Sequence, residues 1–282
     1  MVIKTISIIG TGFVGGAMMK SFMEKNIKVY TFDKYKKSDS FDQCLASDIM
    51  FLCLPTQFNM ESKEYDKSNI FETCQRLEEN SYTGLVIIKS TVESETIIKL
   101  SEKHSNLKLI HNPEFLTAKT AYYIFHNQKH IVLGKGPTVN NNDIDILKEF
   151  YNNNYPDAEI SICNATESES MKLFVNCFYS VKIQFFNELY LLCDKLKDCE
   201  YKNVLNLMLK NKWINPMHTK VPGPDGKLSY GGYCFPKDTN ALLNLMERKE
   251  TPSKVMKATI DERNDMRSDN TNIKNNKNKN KI

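Results

Sequence analysis

The sequence lacks the long apolar run of roughly 18 residues that a membrane-spanning helix needs, so no membrane partner is expected. Glycines interrupt Met1–Met19, and no clear small-residue cleavage pattern follows, which argues against a signal peptide. Arginine is scarce, with four residues, and the formal net charge is only +4. Four lysines and one aspartate in residues 268–282 account for +3 of this charge, so no nucleic-acid partner is expected.

Paired cysteines of the kind that hold zinc are also absent. The eight cysteines form no CxxC pair, and most of them lie in apolar runs. This pattern indicates reduced, buried thiols in a cytoplasmic protein, with neither a metal site nor a disulfide framework. The length of 282 residues favours two domains, and a hydrophobic content of 41% is enough for a sizeable core.

Short β-branched runs alternate with amphipathic stretches over the first half of the chain. This alternation predicts an α/β fold with a Rossmann-type, doubly wound, mostly parallel sheet. Strands are predicted over Thr5–Ile9, Lys28–Phe32, Ile49–Leu54, Leu85–Lys89, Lys108–His111, His130–Leu133 and Glu159–Ile162, and helices over Val14–Lys25 and Asn69–Glu79.

The pattern changes near residue 165, where an all-helical region is predicted to begin. Thr166 and Glu169 fit a capping box, with Thr166 as the N-cap of a helix. No glycine or proline occurs from there to about Leu196, which predicts one long helix of about 30 residues. Such a helix is typical of a bridge between domains or of the spine of a dimer.

Shorter helices are expected further along, and the chain then divides into three regions. These helices are predicted over Tyr201–Lys210 and Lys237–Arg248. The predicted regions are a Rossmann domain over residues 1–165, an all-helical domain over 166–265 and a disordered Asn/Lys-rich tail over 266–282.

A glycine-rich loop joins the first predicted strand to the first helix. The segment Gly10-Thr11-Gly12-Phe13-Val14-Gly15 fits the GxGxxG pattern of dinucleotide-binding loops. In that pattern Gly10 allows the tight turn, Gly12 lets the backbone approach a pyrophosphate, and Gly15 lets the helix pack on the strand. Phe13 and Val14 then begin a helix whose N–H groups face the phosphates.

An acidic residue ends the second predicted strand, as dinucleotide binding requires. Asp33 would accept hydrogen bonds from the adenosine ribose hydroxyls and would repel a 2′-phosphate. The expected cofactor is therefore NAD rather than NADP, although Lys34, Lys36 and Lys37 weaken this preference. An ordinary glycine turn is the alternative.

Two segments of the helical region carry groups suited to catalysis. Lys172 and Asn176 are four residues apart on one helix face, where they could stabilise an alkoxide or could simply be solvated. In Tyr230–Asp238, Cys234 precedes Lys237 by three residues and Asp238 by four, which suits a thiol nucleophile beside an acid/base group. A small buried cysteine is the alternative.

Polar groups also follow several predicted strands, at the end of the sheet where such folds bind ligands. These groups are Thr56, Thr91 and Glu114. Each of them alone could reflect ordinary turn chemistry.

Taken together, these motifs resemble the UDP-glucose/GDP-mannose dehydrogenase family, and most closely its UDP-glucose 6-dehydrogenases. The resemblance covers about residues 3–260. The matching segments, in family order, are Gly10–Gly15, Pro55-Thr56, Lys89–Val92, Asn112–Leu116, Lys172 with Asn176, Phe186–Glu188, Val221–Gly226 and Gly231–Asp238.

The resemblance implies a four-electron oxidation of a sugar alcohol to a carboxylate, with two NAD molecules reduced. It implies that Cys234 carries a thiohemiacetal and then a thioester, that Lys172 and Asn176 stabilise the oxyanion, and that Asp238 handles a proton or water. The other implied site residues are Thr91 and Glu114 for positioning water and substrate, Phe115, Leu116, Gly231 and Gly232 at the substrate, and Thr56, Thr91 and Lys237 at the cofactor. The implied partners are a nucleotide sugar and a second copy bound through helix 167–196.

Three departures from the family pattern keep other functions open. Ala118 stands where the family has a glutamate, and Trp213 stands where it has an arginine that reaches the substrate across a dimer interface. The family's C-terminal nucleotide-binding domain is also not matched. One alternative is thus a degenerate protein that binds cofactor or nucleotide sugar without turnover. Another is a 3-hydroxyacid-type dehydrogenase, which has a Lys-x-x-x-Asn helix but needs no nucleophilic cysteine.

Overall fold

Apolar β-branched runs can be buried on both faces of a sheet only when helices cover both faces, and this condition shapes the first part of the fold. The structure is a computed structural model that describes residues 3–117 and 119–267. Its strands are β1 (Thr5–Ile9), β2 (Lys28–Phe32), β3 (Ile49–Leu52), β4 (Phe58–Asn59), β5 (Glu64–Tyr65), β6 (Leu85–Ile88), β7 (Lys108–His111), β8 (His130–Lys135) and β9 (Glu159–Asn164).

Helices alternate with these strands up to β9, except that β3, β4 and β5 follow one another, and beyond β9 the elements are all helices. They are α1 (Phe13–Glu24), α2 (Phe41–Cys44), α3 (Ser68–Glu79), α4 (Thr96–Lys103), α5 (Ala121–His126), α6 (Asn141–Asn154), α7 (Ala165–Cys193), α8 (Tyr201–Leu209), α9 (Phe235–Arg248) and α10 (Lys254–Met266).

Seven of the strands form one sheet in the order β2-β1-β3-β6-β7-β8-β9. Neighbouring strands are parallel except β7 and β8, which are antiparallel. Every residue of β3 and β6 is buried, as expected of central strands with helices on both faces. The predicted mostly parallel, Rossmann-type sheet followed by helices is therefore confirmed.

The described chain forms two compact units. The first unit contains the residues up to Thr56 together with Asp66–Lys172, and the second contains Gln57–Tyr65 together with the residues from Leu173 onward. The first unit holds the seven-stranded sheet. Helix α7 begins in the first unit and continues into the second.

The second unit is helical apart from the hairpin β4–β5. Its main core joins Leu173 and Cys177 of α7 to Ala241 of α9 and to the hairpin residues Phe58 and Tyr65. Helix α7 has 29 residues and ends at Cys193, close to the predicted length. Helix α10 was not singled out by the sequence pattern.

The predicted capping box at the start of α7 is wrong. The helix begins at Ala165, directly after the last strand, so Thr166 lies inside its first turn. Glu169 is buried, and its carboxylate accepts hydrogen bonds from the N–H groups of Glu95 and Ile97 (both 2.8 Å) at the start of α4. Glu169 therefore satisfies the N-terminus of another helix, 74 and 72 residues away in sequence.

Two further predictions concern membranes and the C-terminus. No helix within residues 3–117 and 119–267 has the length and apolar character needed to span a membrane. The predicted disordered tail over 266–282 lies outside the described residues from residue 268 on, whereas Met266 ends α10 and Arg267 is buried.

Candidate active site

The topology of the sheet brings the sequence-predicted cofactor residues of the first unit to one edge. The chain runs from β1 to β2 on one side and then to β3 on the other, which creates the switch point where such sheets bind ligands. The loops that follow β1, β3, β6 and β7 leave the sheet at the same edge because these strands are parallel.

The glycine-rich loop after β1 has the backbone geometry that its glycines predict. Gly10 has a φ of +90°, and a Cβ there would lie 2.7 Å from the carbonyl oxygen of Cys53. A Cβ on Gly15 would overlap the carbonyl oxygen of Gly10, so helix and turn are in direct contact. A Cβ on Gly12, in contrast, would meet nothing within 4 Å.

This open space lies at the start of α1, where an anionic group would be favoured. Gly12 is the N-cap residue, and as a glycine it has no side chain to cap this helix end. The first N–H groups of an uncapped helix and its dipole attract phosphates. The loop is tightly packed at Gly10 and Gly15 but leaves open space at Gly12. This space fits the pyrophosphate of a dinucleotide. Gly12, Phe13 and Val14 would hold it.

Asp33 lies at the end of β2, beside the glycine-rich loop. Its Oδ2 accepts hydrogen bonds from the N–H (2.8 Å) and the hydroxyl (2.9 Å) of Thr11, and its Oδ1 accepts one from the N–H of Tyr35 (3.0 Å). Burial alone would raise the pKa of Asp33, but these hydrogen bonds and nearby Lys36 hold it below the ordinary value. Asp33 is therefore an ionised acceptor suited to ribose hydroxyls.

Lys36 does not lie free beside Asp33, although the sequence suggested that it could attract a 2′-phosphate. Its Nζ donates to the carbonyl oxygen of Thr11 at 2.7 Å. This hydrogen bond attaches the side chain of Lys36 to the glycine-rich loop.

The loops after β3 and β6 are tied together by hydroxyl groups. The buried Thr56 donates through Oγ1 to the carbonyl oxygen of Thr91 at 2.7 Å. Ser90 donates through Oγ to the carbonyl oxygen of Leu54 at 2.6 Å. These two bonds fix Thr56 and Thr91 next to each other, as a shared role in binding requires.

Glu114 and Lys172 meet in the first unit, beyond the end of β7. Lys172 is 5% exposed, so it is not the solvated lysine of the alternative interpretation. Its Nζ lies 3.8 Å from Oε1 of Glu114 and 4.8 Å from the ring centroid of Phe115. Oε2 of Glu114 accepts a hydrogen bond from the N–H of Leu116 at 2.5 Å. The carboxylate is thus held beside a buried ammonium group.

A second group of polar side chains surrounds Asp238 in the second unit. Asp238 is fully buried, and its Oδ2 accepts a hydrogen bond from Nδ2 of Asn176 at 2.6 Å. Its Oδ1 accepts hydrogen bonds from the hydroxyl of Tyr65 and from Nζ of Lys237, both at 2.5 Å. A buried carboxylate needs such donors, and the three of them fix its position and that of Asn176.

Tyr65 was missed by the sequence analysis. It comes from the short hairpin β4–β5, whose four strand residues carry no catalytic pattern. Lys237, expected at the cofactor, is 9% exposed and lies with Nζ 4.4 Å from the ring centroid of Tyr65. Its placement at a cofactor stays a prediction.

Cys234 differs from the other seven cysteines, all of which lie in the described chain. It is exposed, whereas the others are buried or half-buried, and all eight are thiols rather than disulfides. Burial raises the pKa of Cys44 to about 11 and that of Cys74 to about 12, so these thiols are inert at neutral pH. Cys234 precedes the first residue of α9, and a thiol at a helix N-terminus is typical of reactive cysteines.

The remaining predicted residues of the cysteine loop are glycines with different surroundings. Gly231 lies against the guanidinium group of Arg267, where a Cβ would come within 2.5 Å of Nη2. Gly232 has a φ of +77°, and a Cβ there would meet nothing within 4 Å. Trp213, which departs from the family pattern, is 90% exposed. Ala118, the other departure, lies outside the described residues.

Comparison with known families identifies both parts of the chain. Residues 34–154 match the NAD binding domain of the UDP-glucose/GDP-mannose dehydrogenase family, and residues 166–265 match its central domain. The chain belongs to this family. NAD is therefore the cofactor of the first unit, as the glycine-rich loop predicted. The match begins directly after Asp33, so the assignment of Gly10–Gly15 is carried by the loop geometry.

Two relatives differ in how much of their length this chain covers. The chain is 30% identical to the uncharacterized protein MJ1054 of Methanocaldococcus jannaschii over 78% of its own length and 24% of that protein. It is 28% identical to the UDP-glucose 6-dehydrogenase of Rickettsia bellii over 90% of its own length and 65% of that enzyme. The chain thus spans less than two thirds of either relative.

A solved structure supports the fold. The UDP-glucose dehydrogenase from Pyrobaculum islandicum superposes with a TM-score of 0.81 at 22% identity, over 93% of this chain and 68% of that one. At this identity the likeness establishes the Rossmann-plus-helices architecture.

Proposed function

We propose that this dehydrogenase-family chain serves the NAD-dependent oxidation of a nucleotide sugar at C6, with UDP-glucose as the substrate and UDP-glucuronate as the product. The observation that carries the proposal is Cys234, an exposed thiol one helical turn before the buried Asp238. A 3-hydroxyacid-type dehydrogenase has no use for such a thiol. Family membership also supports the nucleotide-sugar reaction.

The reaction proceeds in two oxidations linked by a covalent intermediate on Cys234. When bound, NAD would supply the hydride acceptor for both oxidations at C6 of the sugar. In the first, the C6 hydroxyl also loses a proton and becomes an aldehyde. The thiolate of Cys234 adds to the aldehyde carbon, and the oxygen takes up a proton to give a thiohemiacetal. Loss of hydride and proton from the thiohemiacetal gives a thioester, and water releases the carboxylate and restores the thiol.

We assign oxyanion stabilisation to Lys172 and Asn176, which lie four residues apart on α7. The buried ammonium of Lys172 supplies positive charge where an alkoxide develops. Nδ2 of Asn176 donates one hydrogen to Asp238, and we assign its second hydrogen to the oxyanion. Asp238 handles the proton or water of the hydrolysis.

Positioning of substrate and cofactor falls to residues on the loops described above. Glu114 and Thr91 orient water and substrate. The residues assigned to substrate contact are Phe115, Leu116, Gly231 and Gly232, and those assigned to the cofactor are Gly10, Gly12, Phe13, Val14, Gly15, Asp33, Thr56, Thr91 and Lys237.

We further propose that two copies of the chain associate through α7. Four large apolar residues of this helix are more than half exposed: Phe174, Phe178, Phe185 and Leu192. At about 100° per residue they lie within roughly 40° of one another around the helix, so they form a single stripe. We call these four residues the α7 stripe. A second copy of the same stripe would bury it.

Turnover with matched cysteine variants tests the function. The purified chain is incubated with NAD and UDP-glucose, GDP-mannose or a 3-hydroxy acid, and NADH is followed by absorbance. We expect two NADH per UDP-glucuronate in wild type and in the control Cys163→Ser, whereas Cys234→Ser should form no UDP-glucuronate and at most one NADH per sugar, because the thiol acts only after the first oxidation. NAD binding without turnover of any nucleotide sugar would instead identify a degenerate binding protein. Turnover of a hydroxy acid by Cys234→Ser would identify a hydroxyacid dehydrogenase.

A further inference from the structure

Lys89 is a lysine in an unusual place. It directly follows the fully buried strand β6 and is itself only 3% exposed. Lysine is almost never fully buried unless it is paired, because removal of an ammonium group from water is costly. The fold therefore keeps a positive charge at the carboxyl edge of the sheet, two residues before Thr91.

The ammonium group of Lys89 is bound to the turn that carries Glu114. Its Nζ donates to Oδ1 of Asn112 at 2.9 Å and to the carbonyl oxygen of Pro113 at 3.3 Å. The Pro113 carbonyl belongs to the peptide bond that leads into Glu114. Lys89 thus binds the side chain of Asn112 and the backbone of Pro113, the two residues that precede Glu114.

Asn112 has two further partners that make this support rigid. Its Oδ1 also accepts a hydrogen bond from the hydroxyl of Tyr151 at 2.6 Å, and its Nδ2 donates to the carbonyl oxygen of Val132 at 2.8 Å. All of these groups are in the first unit. Tyr151 and Lys89 therefore donate hydrogen bonds to the same oxygen, but only Lys89 is charged, so a Tyr151 variant is a suitable control for a Lys89 variant.

The charges around Lys89 link it to Glu114 as well. Glu114 favours its ammonium form and Lys172 opposes it, while the nearby Cys53, whose pKa burial raises to about 12, is an uncharged thiol. His111, at the end of β7, also lies within electrostatic reach. Burial lowers the pKa of Lys89 to about 8, so the group carries a charge at neutral pH and loses it in mildly alkaline solution.

We propose that Lys89 is a positioning residue that fixes the Glu114 carboxylate beside Lys172, through the Pro113 carbonyl and Asn112 and through its own charge. This inference rests on the proposed function, in which Glu114 orients substrate. In this arrangement Glu114 interacts with two ammonium groups, that of Lys172 at 3.8 Å and that of Lys89 through its charge. Loss of the proton from Lys89 weakens this arrangement without removing any group that touches the substrate.

The test compares Lys89→Met with Tyr151→Phe. Both variants remove one donor to Asn112 Oδ1, but only the first removes the charge and the hydrogen bond to the Pro113 carbonyl oxygen. We measure kcat, KM for UDP-glucose and the Kd of NAD from pH 6 to pH 10. We expect Lys89→Met to lower kcat about tenfold with little change in NAD affinity. We also expect it to lack the fall in kcat near pH 8 that wild type and Tyr151→Phe share.

Equal losses and the same pH profile in both variants would reduce Lys89 to a structural residue and overturn the proposal. So would an unchanged kcat in Lys89→Met. If Lys89→Met does not fold, Lys89→Gln keeps a donor without the charge and serves instead.

Crystal structures of the same variants separate this inference from the proposed function. We expect the Glu114–Lys172 contact, 3.8 Å in wild type, to lengthen by about 1 Å or more in Lys89→Met and to persist in Tyr151→Phe. An unchanged contact in Lys89→Met refutes the positioning role. If wild type turns over no nucleotide sugar, the proposed function fails, and the structures still decide the role of Lys89.

Discussion

Two glycines of the dinucleotide loop should respond in opposite ways to the same added methyl group. In Gly15→Ala the new Cβ would overlap the carbonyl oxygen of Gly10 and lie 3.0 Å from Cγ2 of Ile8. In Gly12→Ala the new Cβ would meet nothing within 4 Å. The first substitution therefore tests how closely α1 packs on the loop, and the second tests what occupies the open space when the cofactor binds.

The expected magnitudes follow from these surroundings. Overpacking against backbone costs about 3 kcal/mol, and alanine in place of a helical glycine returns about 1 kcal/mol, so Gly15→Ala should lose about 2 kcal/mol of stability. Gly12→Ala should change the free energy of unfolding by less than about 0.5 kcal/mol. A methyl group in the path of the pyrophosphate should cost about 1.5–3 kcal/mol of binding, which is roughly a 10- to 150-fold weaker Kd for NAD.

Urea unfolding followed by circular dichroism gives the stabilities, and titration calorimetry with NAD gives the affinities. Each variant is the control for the other, because Gly15→Ala should lower the free energy of unfolding whereas Gly12→Ala should lower the affinity for NAD. Wild-type NAD affinity in Gly12→Ala would refute the placement of the pyrophosphate. Wild-type stability in Gly15→Ala would refute the close packing of α1 on the loop.

Three further predictions concern Lys89, the thiols and the α7 stripe. The pKa of Lys89 is about 8 in the fold against an ordinary 10.5, so the unfolded chain binds the proton more tightly. The free energy of unfolding of wild type, measured with urea, should therefore rise relative to that of Lys89→Met by about 3 kcal/mol from pH 8 to pH 10.5. A difference between the two proteins that does not change with pH would contradict this. Iodoacetamide at pH 7.5 should label Cys234 well before the buried Cys74, as read by peptide mass spectrometry, and equal rates would remove the case for a reactive thiol. Light scattering should show that wild type is a dimer and that Phe185→Asp is a monomer. The control Tyr123→Asp, at a 68% exposed site of the first unit, should remain a dimer. A monomeric wild type would refute the association.

Residues whose role depends on nearby sequence were the predictable part of this site. Gly10, Gly12 and Gly15 act through turn geometry within six residues, and Asp33 follows from its place at the end of the second strand. Strand positions were also predictable, because buried parallel strands read as continuous apolar runs. The edges were less accurate: β3 ends at Leu52 rather than at Leu54.

Residues whose role depends on distant partners could not be predicted. Tyr65 reaches Asp238 across 173 residues of sequence, and no local pattern marks it. Glu169 had the right spacing for a capping box, but the chain enters α7 directly from β9, and the carboxylate satisfies α4 instead. Lys89 looked like turn chemistry because its hydrogen-bond partners Asn112 and Pro113 lie 23 and 24 residues away in sequence, and only the fold brings them to it.

The hairpin β4–β5 has a consequence for how the protein is made. It is inserted in the sequence of the first unit but belongs to the core of the second, so Phe58 and Tyr65 leave the ribosome long before their partners. Synthesis of the 173 residues between Tyr65 and Asp238 takes roughly 10–35 s at about 5–20 residues per second. During that time the Rossmann unit can complete its sheet, while the side chains of Phe58 and Tyr65 lack the residues that pack against them. The core of the second unit therefore cannot close around Phe58 and Tyr65 until α9 has been synthesised.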